Sequence, residues 1–351
     1  MTTSTTAPHD RDELAPAPRT PSPRRSFFEV HNLVAMFFLL SMRGLLALRA
    51  PDAPVARDVE VTLLILLGTC GLSCLPDFVS SEAMARRAAA WTGHVYRFLY
   101  VYVMLRSYLM LRDLLPALRP DSLDAELLAI DRALFGGTPA LWLDRFNHQP
   151  VIEWFSAFYF SYFLICAFCV GFIMWGVRDL KLLRTYAIGG AIVFYIGQLI
   201  YVAVPGYGPL KYLADSFDAP LAGGFFWGLV EATVAQGGAM KDIFPSLHTA
   251  LPTYFTLFAF FAAKTDPRFR IISRVLAFMT VNIIISTMLL RWHYAIDVVA
   301  GLALAFGALS FARWAAPREA RLQASLGLTT HWDPPVRWDN ADGEVRLARR
   351  A

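Results

Sequence analysis

The chain is punctuated by uncharged apolar runs about as long as a bilayer is thick, and this constrains its fold more than any other feature. The stretch 153–177, EWFSAFYFSYFLICAFCVGFIMWGV, holds one acid at its start and no charge after it. A helix crossing roughly 30 Å of hydrocarbon needs about 20 such residues. Windows of this kind give eight candidate spans, near 28–48, 60–79, 90–111, 154–177, 186–204, 247–263, 271–290 and 294–313. Only 17% of the 351 residues are charged and 56% are hydrophobic, too little polar material to cover a soluble protein of that length. Since lipid offers the backbone no hydrogen-bond partners, the spans must be helical. The expected fold class is all-α, a polytopic transmembrane helix bundle of about eight spans.

Loop charge orients the bundle, because short cytoplasmic loops are enriched in Lys and Arg. Arg24 and Arg25, Arg86 and Arg87, the Arg178, Lys181 and Arg184 group, the Lys264, Arg268, Arg270 and Arg274 group, and Arg313, Arg318 and Arg321 all fall on one side. The two long connections on the other side, 112–153 and 205–246, carry acids that offset their few cations. Both termini are then cytoplasmic, with the chain in a bacterial-type inner or plasma membrane. Residues 1–27, rich in Thr, Pro, Ala and Arg, form an expected disordered cytoplasmic tail and not a signal peptide. Residues 28–315 are the transmembrane domain, with a catalytic core at about 125–315, and 316–351 form a second cytoplasmic tail whose Trp332 and Trp338 offer to dock on the membrane or the bundle. Segment 124–146 reads as short interfacial helices around a Gly-Gly-Thr-Pro turn, bordering the site. A net charge of +4 without a basic, aromatic-rich patch speaks against nucleic acid as a partner. The four cysteines lie in apolar stretches, where small buried side chains, not a disulfide framework, are expected.

Three polar residues stand out at span ends, where facing lipid would be costly: His248, His293 and Asp297. The spans beginning with His248 and His293 both run inward, so the two histidines share the outer level. His293 and Asp297 are four apart, which on a helix brings the carboxylate to the ring. An Asp that takes the proton of one ring nitrogen leaves the other free as base or nucleophile. A buried His–Asp pair without chemistry is the competing reading. In FPSLHTA, Ser246 reads as a helix N-cap, and the free N–H groups and dipole of that helix start favour an anion beside His248. Candidate substrate-binding residues for a phosphate are Arg291, Ser246 and, in the VPGYGPLKY loop, Tyr207, Gly208 and Lys211. Arg43, Arg106 and Arg112 read as snorkelling span ends. A serine hydrolase built on Ser246 would lack a Gly-x-Ser-x-Gly elbow.

FPSLHTALPTYF, followed by STMLLRWHYAIDVVAGLALA, resembles the type 2 phosphatidic acid phosphatase (PAP2) superfamily, and specifically the branch that includes inositol phosphorylceramide synthases. DRALFGG at 131–137 and the VPGYGP loop look like features of that branch, and the likeness covers roughly residues 125–305. The resemblance implies that His293 attacks phosphorus to form a phosphohistidine, that Asp297 orients it, and that His248 protonates the leaving group, with no metal or cofactor. The superfamily's Lys-x6-Arg-Pro element is replaced here by VPGYGPLKY, and Thr287 stands where an Arg is usual, with Arg291 a partial substitute. These departures favour a phosphotransferase moving a phosphoryl or phospho-headgroup from a lipid phosphate or phospholipid donor to a lipid alcohol. The alternative is a lipid phosphatase that hydrolyses phosphatidic acid or an isoprenyl (pyro)phosphate with water as acceptor. A non-catalytic transporter or scaffold is the distant alternative, disfavoured because the polar residues gather at one membrane face and not at the midplane.

Overall fold

A computed structural model of the chain describes residues 24–332. Helices α1 (Val30–Arg49), α2 (Val55–Cys74), α3 (Glu82–Leu109) and α4 (Leu111–Leu118) lead into a connection holding α5 (Asp124–Phe135) and α6 (Pro139–Leu143). After α7 (Gln149–Gly176), α8 (Leu180–Ala191) continues through a π-helical turn into α9 (Gly197–Ala203). A second long connection carries α10 (Pro209–Tyr212) and α11 (Phe225–Gly237), and the chain closes with α12 (Leu247–Ala262), α13 (Phe269–Leu289) and α14 (Ala295–Ser325). The architecture is all-α.

Among the described residues, six segments are long and apolar enough to cross a bilayer: α1, Val55–Phe78, α7, Leu180–Ala203, α13 and α14. Large apolar side chains such as Phe37, Leu40, Leu64, Val281 and Phe306 stand exposed on them, as a lipid-facing surface requires. These marks define an integral membrane protein. The other two expected windows are helical too, but differ in kind. α3 contains Arg97 and Arg106, whereas α12 has only 16 residues and is buried on nearly every side by α7, α13 and α14. A helix that is apolar all round belongs in the centre of a bundle. α12 is that centre.

α12 and α14 begin side by side. The Ser246 N–H donates to the Asp297 carbonyl at 3.0 Å. Gly301 permits the approach, since a Cβ there would lie 2.6 Å from the Ser246 carbonyl oxygen. At the far end α14 runs on past Ala315, through Pro317, to Ser325. A short strand β2 (Leu328–Thr329) then pairs in parallel with β1 (Arg24–Arg25). Trp332 follows, 1% exposed, with its ring against His31, Tyr96 and Tyr100. The tail therefore docks on the bundle through Trp332, whereas Trp338 and residues 1–23 of the expected disordered segment 1–27 lie outside the described residues, and Arg24 and Arg25 of that segment form β1.

Candidate active site

The turn between α13 and α14 sets the position of His293. The Thr287 carbonyl accepts from both the Trp292 and the His293 N–H groups at 3.0 Å, and Arg291 takes a left-handed φ of 63° to close the reversal. His293 thus precedes α14 by two residues instead of lying on its face. The pairing with Asp297 is made by a capping turn: one carboxylate oxygen of Asp297 accepts from the Tyr294 N–H at 2.9 Å and meets His293 Nδ1 at 3.2 Å. Asp297 has no exposed surface. A carboxylate held there can accept a hydrogen bond from Nδ1–H, the tautomer in which Nε2 keeps its lone pair.

His248 sits in the first turn of α12, and its ring is clamped between Tyr159, at 4.3 Å and 13°, and Tyr162, at 4.2 Å and 35°. The His248 and His293 ring centroids are 6.3 Å apart. His248 Nε2 is buried and has no hydrogen-bond partner among the described residues, a costly state unless a ligand supplies one. Both histidines line one cavity of about 170 Å³, with Tyr159, Tyr207, Lys211 and Asp242 also on its wall. That volume is below the range of drug-sized pockets, so it suits a phosphate-sized group and not an entire lipid.

The VPGYGPLKY loop forms one wall and is held from beneath by Asp124 of α5. The two Asp124 oxygens accept from the Tyr207 N–H at 2.8 Å and the Gly208 N–H at 2.9 Å, and Oδ1 also takes the Tyr294 hydroxyl at 3.1 Å. Gly208 has φ +84°, and a Cβ on it would lie 2.2 Å from the Trp292 carbonyl oxygen. Only glycine fits there. Gly208 thus contributes close approach of the loop to the His293 turn. Lys211 places Nζ 3.7 Å from the Tyr207 ring centroid and is the one Lys or Arg on the cavity wall among the described residues.

Two expected substrate ligands are placed differently. Arg291 is buried, but its guanidinium pairs with Asp144, donates to the Ala219 carbonyl at 3.0 Å and stacks 3.8 Å from the Phe217 ring centroid. The left-handed turn that sends His293 into the cavity sends Arg291 out of it, so Arg291 is a brace of the outer connections and not a wall of the cavity. Ser246 is the N-cap of α12, with its hydroxyl accepting from the Thr249 N–H at 3.2 Å, and it too stands off the cavity. Ser246→Ala is therefore expected to lower stability by about 1 kcal/mol and leave turnover within a few-fold of the parent. Thermal unfolding and turnover measured side by side check this; abolished activity in a folded variant would restore a chemical role for the hydroxyl.

Asp124, Asp131 and Asp242 lie in the acid-bearing connections 112–153 and 205–246, and Tyr159 and Tyr162 in the apolar run 153–177. Asp131 accepts from the Ala295 and Ile296 N–H groups at 3.0 and 2.9 Å and so caps α14 from another helix. The DRALFGG likeness was the one signal pointing at it. Burial raises the Asp242 carboxyl above its ordinary value, while a hydrogen bond from Tyr108 at 3.0 Å opposes the shift.

A family model of the PAP2 superfamily matches residues 125–311, more than half of the chain and the part that contains every residue of this cavity except Tyr108. The chain belongs to the PAP2 superfamily, and with it to the lipid phosphatase and phosphotransferase type of enzyme. No curated protein and no solved structure matches it.

Proposed function

We propose that the protein is an integral-membrane phosphotransferase of the inositol phosphorylceramide synthase-like type, working through a phosphohistidine on His293. The observation that carries this reading is the facing pair: His293 oriented by Asp297, with the unpartnered His248 Nε2 on the same small cavity. His293 Nε2 attacks phosphorus, the bond from phosphorus to the leaving oxygen breaks, and His248 gives that oxygen a proton. In the second half His248 takes the proton of the acceptor hydroxyl, whose oxygen attacks phosphorus as the P–N bond breaks. Lys211 and the N-terminus of α12 offset charge on the phosphoryl oxygens. The basic loops support an extracytoplasmic site with both tails inside.

The test is a screen of lipid donors against lipid alcohols with mass-spectrometric identification of products, using His293→Ala protein as the blank. A new phospholipid formed from phosphatidylinositol and a ceramide is the expected result. Release of inorganic phosphate from phosphatidic acid or an isoprenyl pyrophosphate, with no transfer product, would assign the hydrolytic reaction instead.

A further inference from the structure

One carboxylate faces the cavity and has no task in the steps above. Asp242 lines the same wall as His293. Its place is fixed from two directions. The Asp242 backbone forms a bridge with Gly206, whose N–H donates to the Lys241 carbonyl at 3.2 Å, and the side-chain Oδ2 accepts from the Tyr108 hydroxyl at 3.0 Å. The adjacent lysine does not neutralise it, because Lys241 Nζ donates to the carbonyls of Arg119, Pro120 and Asp121 at 2.9, 2.8 and 2.9 Å. Among the described residues Asp242 forms no ion pair with any Lys or Arg.

An acid on the wall of a phosphoryl site opposes the substrate's own charge, and the repulsion scales with that charge. A phosphate monoester carries about −1.5 to −2 at neutral pH, whereas a phosphodiester keeps one ionisable oxygen and carries a single charge. Among the described residues the cavity wall has one Lys or Arg, Lys211, to set against Asp242. One lysine balances the carboxylate and leaves little to hold a dianion. We propose that Asp242 is a specificity-determining residue of this site: its carboxylate excludes doubly charged phosphate monoesters and so selects singly charged phosphodiester donors. The inference rests on the reading of His293 as the nucleophile of this cavity.

The experiment uses the full chain in mixed micelles, with phosphatidic acid and phosphatidylinositol of matched acyl chains as the two donors. In the parent, kcat/KM favours the diester. Asp242→Asn, which keeps the shape and removes the charge, is expected to raise the monoester-to-diester ratio of kcat/KM about tenfold. Asp242→Glu, which restores the charge, should return the ratio toward that of the parent. A ratio that Asp242→Asn leaves unchanged, in a parent that still forms an acid-labile phosphoenzyme, overturns the role of Asp242 and spares the functional reading. A parent that labels with neither donor overturns both.

Discussion

Replacing His293 with alanine is expected to reduce turnover by about four orders of magnitude or more and to abolish covalent labelling, with the fold intact. The geometry separates these two effects. Asp297 keeps its bond from the Tyr294 N–H in the variant, so the capping turn of α14 survives loss of the imidazole. The Thr287 carbonyl still closes the reversal through the backbone of positions 292 and 293. His248→Ala should behave differently, losing about two to four orders of magnitude with ordinary lipid leaving groups and recovering much of that with a leaving group acidic enough to depart unprotonated. Quench-flow labelling with a radioactive donor, beside thermal unfolding, reads both. Normal labelling in His293→Ala would sink the nucleophile assignment, and equal losses with good and poor leaving groups in His248→Ala would remove His248 as the acid.

Hydropathy and loop charge brought His248 and His293 to one level from 45 positions apart in the chain, because membrane crossing leaves few ways to arrange span ends. The Ser246 cap was legible for a local reason: a cap is satisfied within four residues. The His293–Asp297 contact was legible in its spacing but not its form, since a helix face and a capping turn both join positions four apart. Arg291 shows where local reading stops. Its proximity in sequence to His293 suggested a phosphate ligand, yet a left-handed residue reverses the side-chain direction, and Asp144, 147 positions away, claims the guanidinium. α3 and α12 show the same limit at larger scale, because a sequence window records apolarity and not whether lipid or protein surrounds the helix. Nothing in the apolar run around Tyr159 and Tyr162 distinguishes a ring that clamps a histidine from one that fills a core.

The second large effect is expected far from the reacting atoms, at Asp131. Asp124 and Asp131 lie two turns apart on α5, and neither has exposed surface. Asp124 holds the Tyr207–Gly208 backbone and the Tyr294 hydroxyl, while Asp131 holds the first N–H groups of α14 and the Thr138 hydroxyl at 2.9 Å. One short helix thereby sets both walls between which His293 works. Asp131→Ala strips two buried N–H groups and a hydroxyl of their acceptor and removes a charge that suits the positive end of α14, a cost of about 3 kcal/mol or more. Because a displacement near 1 Å lowers catalysis by roughly two orders of magnitude, kcat should fall by that much while KM moves less, Asp131 itself standing off the cavity wall. Asp131→Asn keeps one oxygen acceptor and should recover part of both losses. The split between kcat and KM is the informative readout, since a purely structural cap would reduce the amount of folded enzyme without changing the kcat of the folded fraction. Active-site titration by covalent labelling measures that fraction; full kcat per labelled site in Asp131→Ala would reduce α5 to a scaffold, whereas a low kcat per site makes it the part of the fold that aims the nucleophile.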